Sequence, residues 1–158
     1  MHAIQSKDTY QEIYNRYNLP LHFDPLWLDA VCVKGDWDVN VLLNSNGELE
    51  AVQVYHIRKH RGFTFIIMPM MTSYSGIYIH YPEELKTHSR ISYDHRVTKE
   101  LFKRLPKHDF YYQQFLPSFT NWMPLYWEGY TQTTRYTYQI DTRIGEEKMW
   151  SNLKSNVR

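Results

Sequence analysis

The sequence predicts an α/β (α+β) sandwich, a mixed, mostly antiparallel sheet flanked by helices. Three observations carry that expectation. Two helical patterns open the chain, three segments of period-two alternation joined by short turns occupy its middle, and a helix, two strand-like segments and a closing helix follow. With 158 residues, 42% of them hydrophobic and 22% charged, the chain suits one domain and has the apolar content to bury a core.

The first helix is expected over about Thr9–Tyr17, where Thr9 and Glu12 form a capping-box pattern and Tyr10, Ile13, Tyr14 and Tyr17 share a face. Asn18-Leu19-Pro20 ends it. Asp24-Pro25 opens a second helix as N-cap and first helical residue, with Trp27, Leu28, Val31 and Cys32 inward and Gly35 as the stop. Trp37 to Leu43 alternates as a strand does, and Asn44-Ser45-Asn46-Gly47 is turn chemistry. Leu49–Ile57 and Phe63–Met68 read as the second and third strands, joined by a basic turn, Arg58–Gly62, so the three form an antiparallel meander. Pro69–Pro82 reads as irregular. A helix is expected over about Asp94–Leu105, with Val97, Leu101 and Leu105 on one stripe and Pro106 as its stop. Phe110–Phe115 suits a buried strand, Pro117–Tyr130 an aromatic connection, and Thr131–Ile140 a further strand. The last element begins near Thr142, with Glu146 and Glu147 in its first turn and Lys154 and Arg158 at its far end, as a helix dipole favours.

Composition narrows the function classes. A single Cys excludes a disulfide framework and a cysteine-based zinc cluster. No apolar run approaches the roughly 20 residues of a membrane span, and the first ten residues lack a signal-peptide core, so a cytoplasmic domain is expected. The net charge of +1 hides an uneven distribution: 3 Lys/Arg against 8 Asp/Glu in residues 1–57, 10 against 4 in 58–107, and 5 against 5 in 108–158. The basic middle could attract anions, although Glu100 and Arg104 at i,i+4 fit the solvated face of a helix. Eight histidines show no metal-ligand spacing, and His56 and His60 lie in a strand–turn pattern, so no metal site is expected. Cys32 lacks the surroundings of a nucleophile and reads as a small buried hydrophobe.

Several blocks resemble the FemAB-like branch of the GNAT acyltransferase superfamily: Leu19-Pro20-Leu21-His22-Phe23 leading to Trp27–Cys32; Met68-Pro69 with Thr72-Ser73-Tyr74-Ser75-Gly76; Gln113-Gln114-Phe115 with Asn121-Trp122; Tyr126–Tyr130; and Thr133–Tyr138. The tail from Ile140-Asp141 through Trp150 to Lys154–Arg158 is similar to that family's bridge between two halves. The resemblance implies a GNAT-like domain over 1–141. Residues 142–158 would then begin a helix leading to a second, absent GNAT-like domain, against which Trp150, Leu153 and Val157 would pack. It further implies acyl or aminoacyl transfer to an amine-bearing acceptor, such as a peptidoglycan precursor. The donor in the full-length protein would be acyl-CoA or aminoacyl-tRNA, with no metal or redox cofactor. Such a reaction needs positioning, proton removal and oxyanion stabilisation.

The sequence also departs from the family pattern. A catalytic GNAT domain cradles the CoA pyrophosphate on a glycine-rich loop that opens a helix. The equivalent stretch, Met68–Gly76, has one Gly, so this half is expected to bind no donor and to be inactive alone. Three substrate-binding candidates follow from the resemblance. Lys34 corresponds loosely to a lysine near the end of the early Trp-containing helix that contacts the precursor's phosphates; Tyr74 and Arg135 sit in matching blocks. As plain structural residues, Lys34 is a helix C-terminal cation, Tyr74 a packing ring and Arg135 an exposed strand residue. The alternatives are a stand-alone non-catalytic binding module, an anion or nucleic-acid binder using residues 58–107, and a self-sufficient acetyltransferase with an atypical CoA loop.

Overall fold

Alternating apolar residues beginning at Trp37 build the centre of a six-stranded sheet in the computed structural model, which describes residues 2–4, 7–136 and 140–157. Strands β1 (His2–Ile4), β2 (Asp36–Leu43), β3 (Leu49–His60) and β4 (Phe63–Ile67) pair antiparallel in that order, so the expected meander is present with one strand added at its edge. The β2–β3 turn is held by the Asn44 side chain, whose oxygen accepts from the Asn46 and Glu48 amides at 2.8 and 3.0 Å. β3 runs past Ile57 to His60, so Arg58, Lys59 and His60 are strand residues and only Arg61 and Gly62 turn the chain. Their charges do not oppose the strand because all three side chains stay in solvent while their backbones pair with Phe65, Thr64 and Phe63.

One face of the sheet carries α1 (Lys7–Tyr17), a 3-10 turn (Leu21–Phe23) and α2 (Pro25–Val31). Asp24 caps α2 as expected, its carboxylate accepting from the Leu26 amide at 2.9 Å, with Pro25 in the first turn. Helix α1 begins at Lys7, which puts Thr9 inside the helix and overturns its reading as a cap. Tyr10, Ile13, Phe23, Leu28 and Cys32 are buried against Trp37, Val39, Val41, Val52 and Val54. The Tyr10 hydroxyl donates to the Phe23 carbonyl at 2.7 Å in this core, a bond contributing about 1 kcal/mol.

The opposite face carries α3 (Thr87–Lys103), which buries Tyr93, Val97 and Leu101 against Leu42, Ala51 and Ile77. It starts at Thr87 rather than Asp94, because its first turns are polar and solvent-facing and leave no apolar period to read. An Arg96–Glu50 ion pair at 2.6 Å ties it to β3, and Glu100 pairs with Arg104 at 2.7 Å as the spacing predicts. Asn40, Gln53 and Thr98 are fully buried, and Asn40 donates to Gln53 at 3.3 Å.

Two further strands complete the sheet. β5 (Gly76–Ile79), in the segment expected to be irregular, pairs antiparallel with the first half of β3. β6 (Phe110–Tyr111) pairs parallel with β4, a shorter strand than the Phe110–Phe115 expected. The chain then leaves the sheet. A short helix α4 (Met123–Trp127) lies within the aromatic connection and packs on α3. The strand expected over Thr131–Ile140 is not formed at 131–136 or at 140, where the described side chains are exposed; residues 137–139 lie outside the described residues. A 3-10 turn (Thr142–Ile144) precedes α5 (Glu146–Asn152), which starts after Gly145 at φ 83 and stops at Asn152 instead of continuing to the end. Glu146 and Glu147 occupy its first turn as expected, whereas Lys154 falls beyond its end.

Candidate functional site

Strand β4 pairs with β3 residues His56–His60 and β5 pairs with Ala51–Val54 on the same edge, so the chain between them, Met68–Ser75, makes an excursion out of the sheet opposite Tyr55. The segment after β6 closes this gap. The Tyr112 amide donates to Ile66 O at 2.8 Å, the Ser75 amide to Gln114 O at 2.7 Å, and the Gln113 side chain to Val54 O at 2.9 Å. Gly76 is demanded here twice over. Its φ is +88, and a Cβ would stand 2.7 Å from the Phe115 ring.

Aromatic and polar groups from four segments converge on the excursion. Tyr74 packs edge-on to His22 with ring centroids 4.7 Å apart, and His22 leans on Trp27 at 5.3 Å. The Trp27 indole donates to Thr72 Oγ1 at 3.2 Å, and that hydroxyl donates to Met70 O at 3.0 Å. Gln114 bridges to the C-terminal part of the chain. With its amide nitrogen toward Ser73 O at 3.0 Å, its oxygen accepts from the Tyr112 hydroxyl at 2.8 Å and from Arg135 Nη1 at 3.2 Å. Two of the three sequence candidates, Tyr74 and Arg135, are therefore brought to one seam. Lys34 lies elsewhere, in the exposed turn between α2 and β2, beside a Gly35 packed onto His56 and the Ile57 carbonyl.

Buried polar atoms without a partner among the described residues border this seam: His22 Nδ1 and Ser75 Oγ. Burial lowers the pKa of His22. Burial likewise lowers that of His56, reinforced by Arg58 and opposed by the Met68 backbone and Asp36. Both imidazoles are thus held toward the neutral form, which can accept a proton or a hydrogen bond. In the sequence His22, Thr72 and Gln114 stand out only within the resembling blocks and Trp27 also as an inward residue of α2; their contacts cross the fold, and no local period marks which groups they meet. Cys32 is a core thiol, as expected, and burial drives its pKa to about 12.

A cavity of about 240 Å³ lies on the α3 side of β5, bounded by Ile77, Tyr81, Arg90 and Phe119, with the Arg90 guanidinium 3.9 Å over the Tyr81 ring. Among the described residues no group of three or more His, Cys, Asp or Glu side chains is arranged to hold a metal ion, and no helix is long and apolar enough to cross a membrane.

No protein-family profile matches the chain, and no curated protein matches it. The crystal structure of a mutant of the BH1408 protein from Bacillus halodurans is similar at 9% identity and a TM-score of 0.41, covering 89% of this chain and 99% of that one. The class that fold and seam define is an α+β domain whose mostly antiparallel sheet is interrupted on one edge by a polar, aromatic-lined excursion.

Proposed function

We propose that this chain is the N-terminal, GNAT-like half of a FemAB-like acyl- or aminoacyltransferase, forming one wall of the cleft for an amine-bearing acceptor. The observation that carries this reading is the seam at Met68–Ser75, where Arg135 reaches Ser73, the neighbour of Tyr74, through Gln114, although 61 positions separate the two residues that the family resemblance picks out. The order of elements is in keeping with it: two helices before a meander, then a helix that crosses over to a strand parallel to β4. An arginine at the seam suits a carboxylate or phosphate on the acceptor, and a neutral imidazole suits removal of a proton from the attacking amine.

The seam does not suit the donor. The Met68–Gly76 stretch returns to the sheet as β5 and opens no helix, and its single glycine is taken up by the packing of Phe115. A pyrophosphate cradle needs free backbone amides at a helix N-terminus. The second half of the enzyme would therefore supply the site for acyl-CoA or aminoacyl-tRNA.

The test is titration of a peptidoglycan stem peptide into the isotope-labelled chain. Shifts confined to 68–75, 112–114 and 135 are expected, with Arg135→Gln weakening binding about tenfold, the loss of one charge-assisted contact. Acetyl-CoA should leave the melting temperature unchanged. A saturable rise with acetyl-CoA would favour a self-sufficient acetyltransferase instead. A stop codon directly after codon 158 in the gene would count against a two-domain enzyme.

A further inference from the structure

The far end of the sheet projects beyond its helical cover. The last β2–β3 pair is Asp36 with Ile57, so β3 residues 58–60 and β4 residues 63–65 continue without a β2 neighbour. On this extension one cross-strand row places Arg58 beside Phe65 and Phe65 beside Phe110, and the row two residues on, past Lys59 and Thr64, places His60 beside Phe63. These side chains share one face because paired residues in adjacent strands point the same way. Phe63 is 56% exposed and Phe110 50% exposed, so both rings forgo the favourable transfer out of water that burial would give. The Phe65 and Phe110 centroids lie 6.2 Å apart.

Positive charge surrounds the rings. Arg58, Arg61 and Lys107 are exposed, and the one carboxylate in these segments, Asp109, is engaged by the Thr64 amide at 2.8 Å. We propose that this basic, phenylalanine-paved end of the sheet is a stacking platform for single-stranded nucleic acid. Unpaired bases would lie on Phe63, Phe65 and Phe110 while Arg58, Arg61 and Lys107 meet the flanking phosphates. Rings at strand spacing on a sheet fit separated base faces; duplexes hide those faces, and the flanking His60 is polar where a membrane anchor would carry a long aliphatic chain. The platform stands independently of the transferase reading, since neither Tyr74 nor Arg135 belongs to it.

Anisotropy of a fluorescein-labelled 12-nucleotide oligouridylate tests it at 50 mM salt. Saturable binding is expected, with log Kd against log salt having a slope of about 2 to 3 for three or four phosphate contacts. Phe63→Ala with Phe110→Ala should weaken binding at least tenfold with the melting temperature retained, and a base-paired hairpin should bind at least tenfold more weakly than the oligouridylate. Should the double aromatic variant fail to fold, Arg58→Gln with Arg61→Gln decides, by lowering the salt slope by 1 to 2. Lys148→Gln on α5 should change nothing. No binding at low salt, equal affinity for the hairpin, binding that survives loss of both rings, or capture by phosphatidylglycerol vesicles without capture of the oligonucleotide would each overturn the proposal.

Discussion

The helix-covered core and the C-terminal stretch use aromatic residues in opposite ways. Between Tyr10 and Leu116, Tyr10, Phe23 and Trp37 are at most 3% exposed and pack between α1, α2 and the sheet. After Leu116, Tyr126, Trp127, Tyr136 and Trp150 are 58, 65, 93 and 55% exposed. The contrast teaches that a 16% aromatic content does not measure the size of a core. A ring stabilises the fold only where neighbours exclude water from it, and α5, packed chiefly on the turn before it, offers Trp150 few neighbours.

Breaking the contrast at its strong side should give the largest effect. Phe23→Ala removes a fully buried ring between α1, α2 and β5, and should cost about 3–5 kcal/mol in urea unfolding. A loss below 1 kcal/mol would mean that this core is not closed around Phe23.

The pH dependence should be smaller and has a definite sign. His56 has its pKa lowered from 6.5 by burial, so the folded state resists protonation that the unfolded chain accepts. Stability is full above the unfolded value and falls as pH drops through it toward the lowered folded value. The groups facing His56 are Asp36 on β2, Arg58 on its own strand and the Met68 backbone. Unfolding measured at pH 7 and pH 5 should show that loss, and His56→Gln should flatten it in part, with the remainder due to His22. An unchanged profile in the variant would place the acid-sensitive group elsewhere.

Trp150→Ala should give the smallest change, within about 0.5 kcal/mol, because the ring has little to lose on truncation. The same substitution in a longer protein carrying a second domain should cost several times more if that domain covers α5. Equal effects in both settings would show that α5 is not an interface.

Legibility in the sequence followed the range of the forces involved. The Asp24-Pro25 start, the alternation of β2 and the Asn44 turn were readable because each rests on residues a few positions apart. The cap assigned to Thr9 failed because α1 extends back to Lys7. The start of α3 was placed too late because its exposed first turns have no apolar stripe. β5 was hidden because four residues rich in contacts to a distant strand carry no period of their own. The strand expected over Thr131–Ile140 had the right residue types, but 131–136 has no partner strand, and β-propensity without pairing does not make a sheet. Of the candidate site, the sequence singles out Tyr74 and Arg135, which border the same seam, and Lys34, which stands apart from it.

What the sequence by itself determined is the class of the fold, the meander, the N-cap of α2 and the burial of Cys32, all consequences of apolar period and local backbone chemistry, whereas α2 ends at Val31, four residues before the expected stop at Gly35. The tertiary structure alone decided that β4 and β5 share one edge of β3, that β6 runs parallel to β4, and that Arg135 reaches Gln114 beside Ser73. It also decided that Phe63 and Phe110 stand exposed beside a half-buried Phe65 at the end of the sheet. The physical reason is that pairing and burial are set by groups brought together from remote positions, and no local pattern in the chain records which of them will meet.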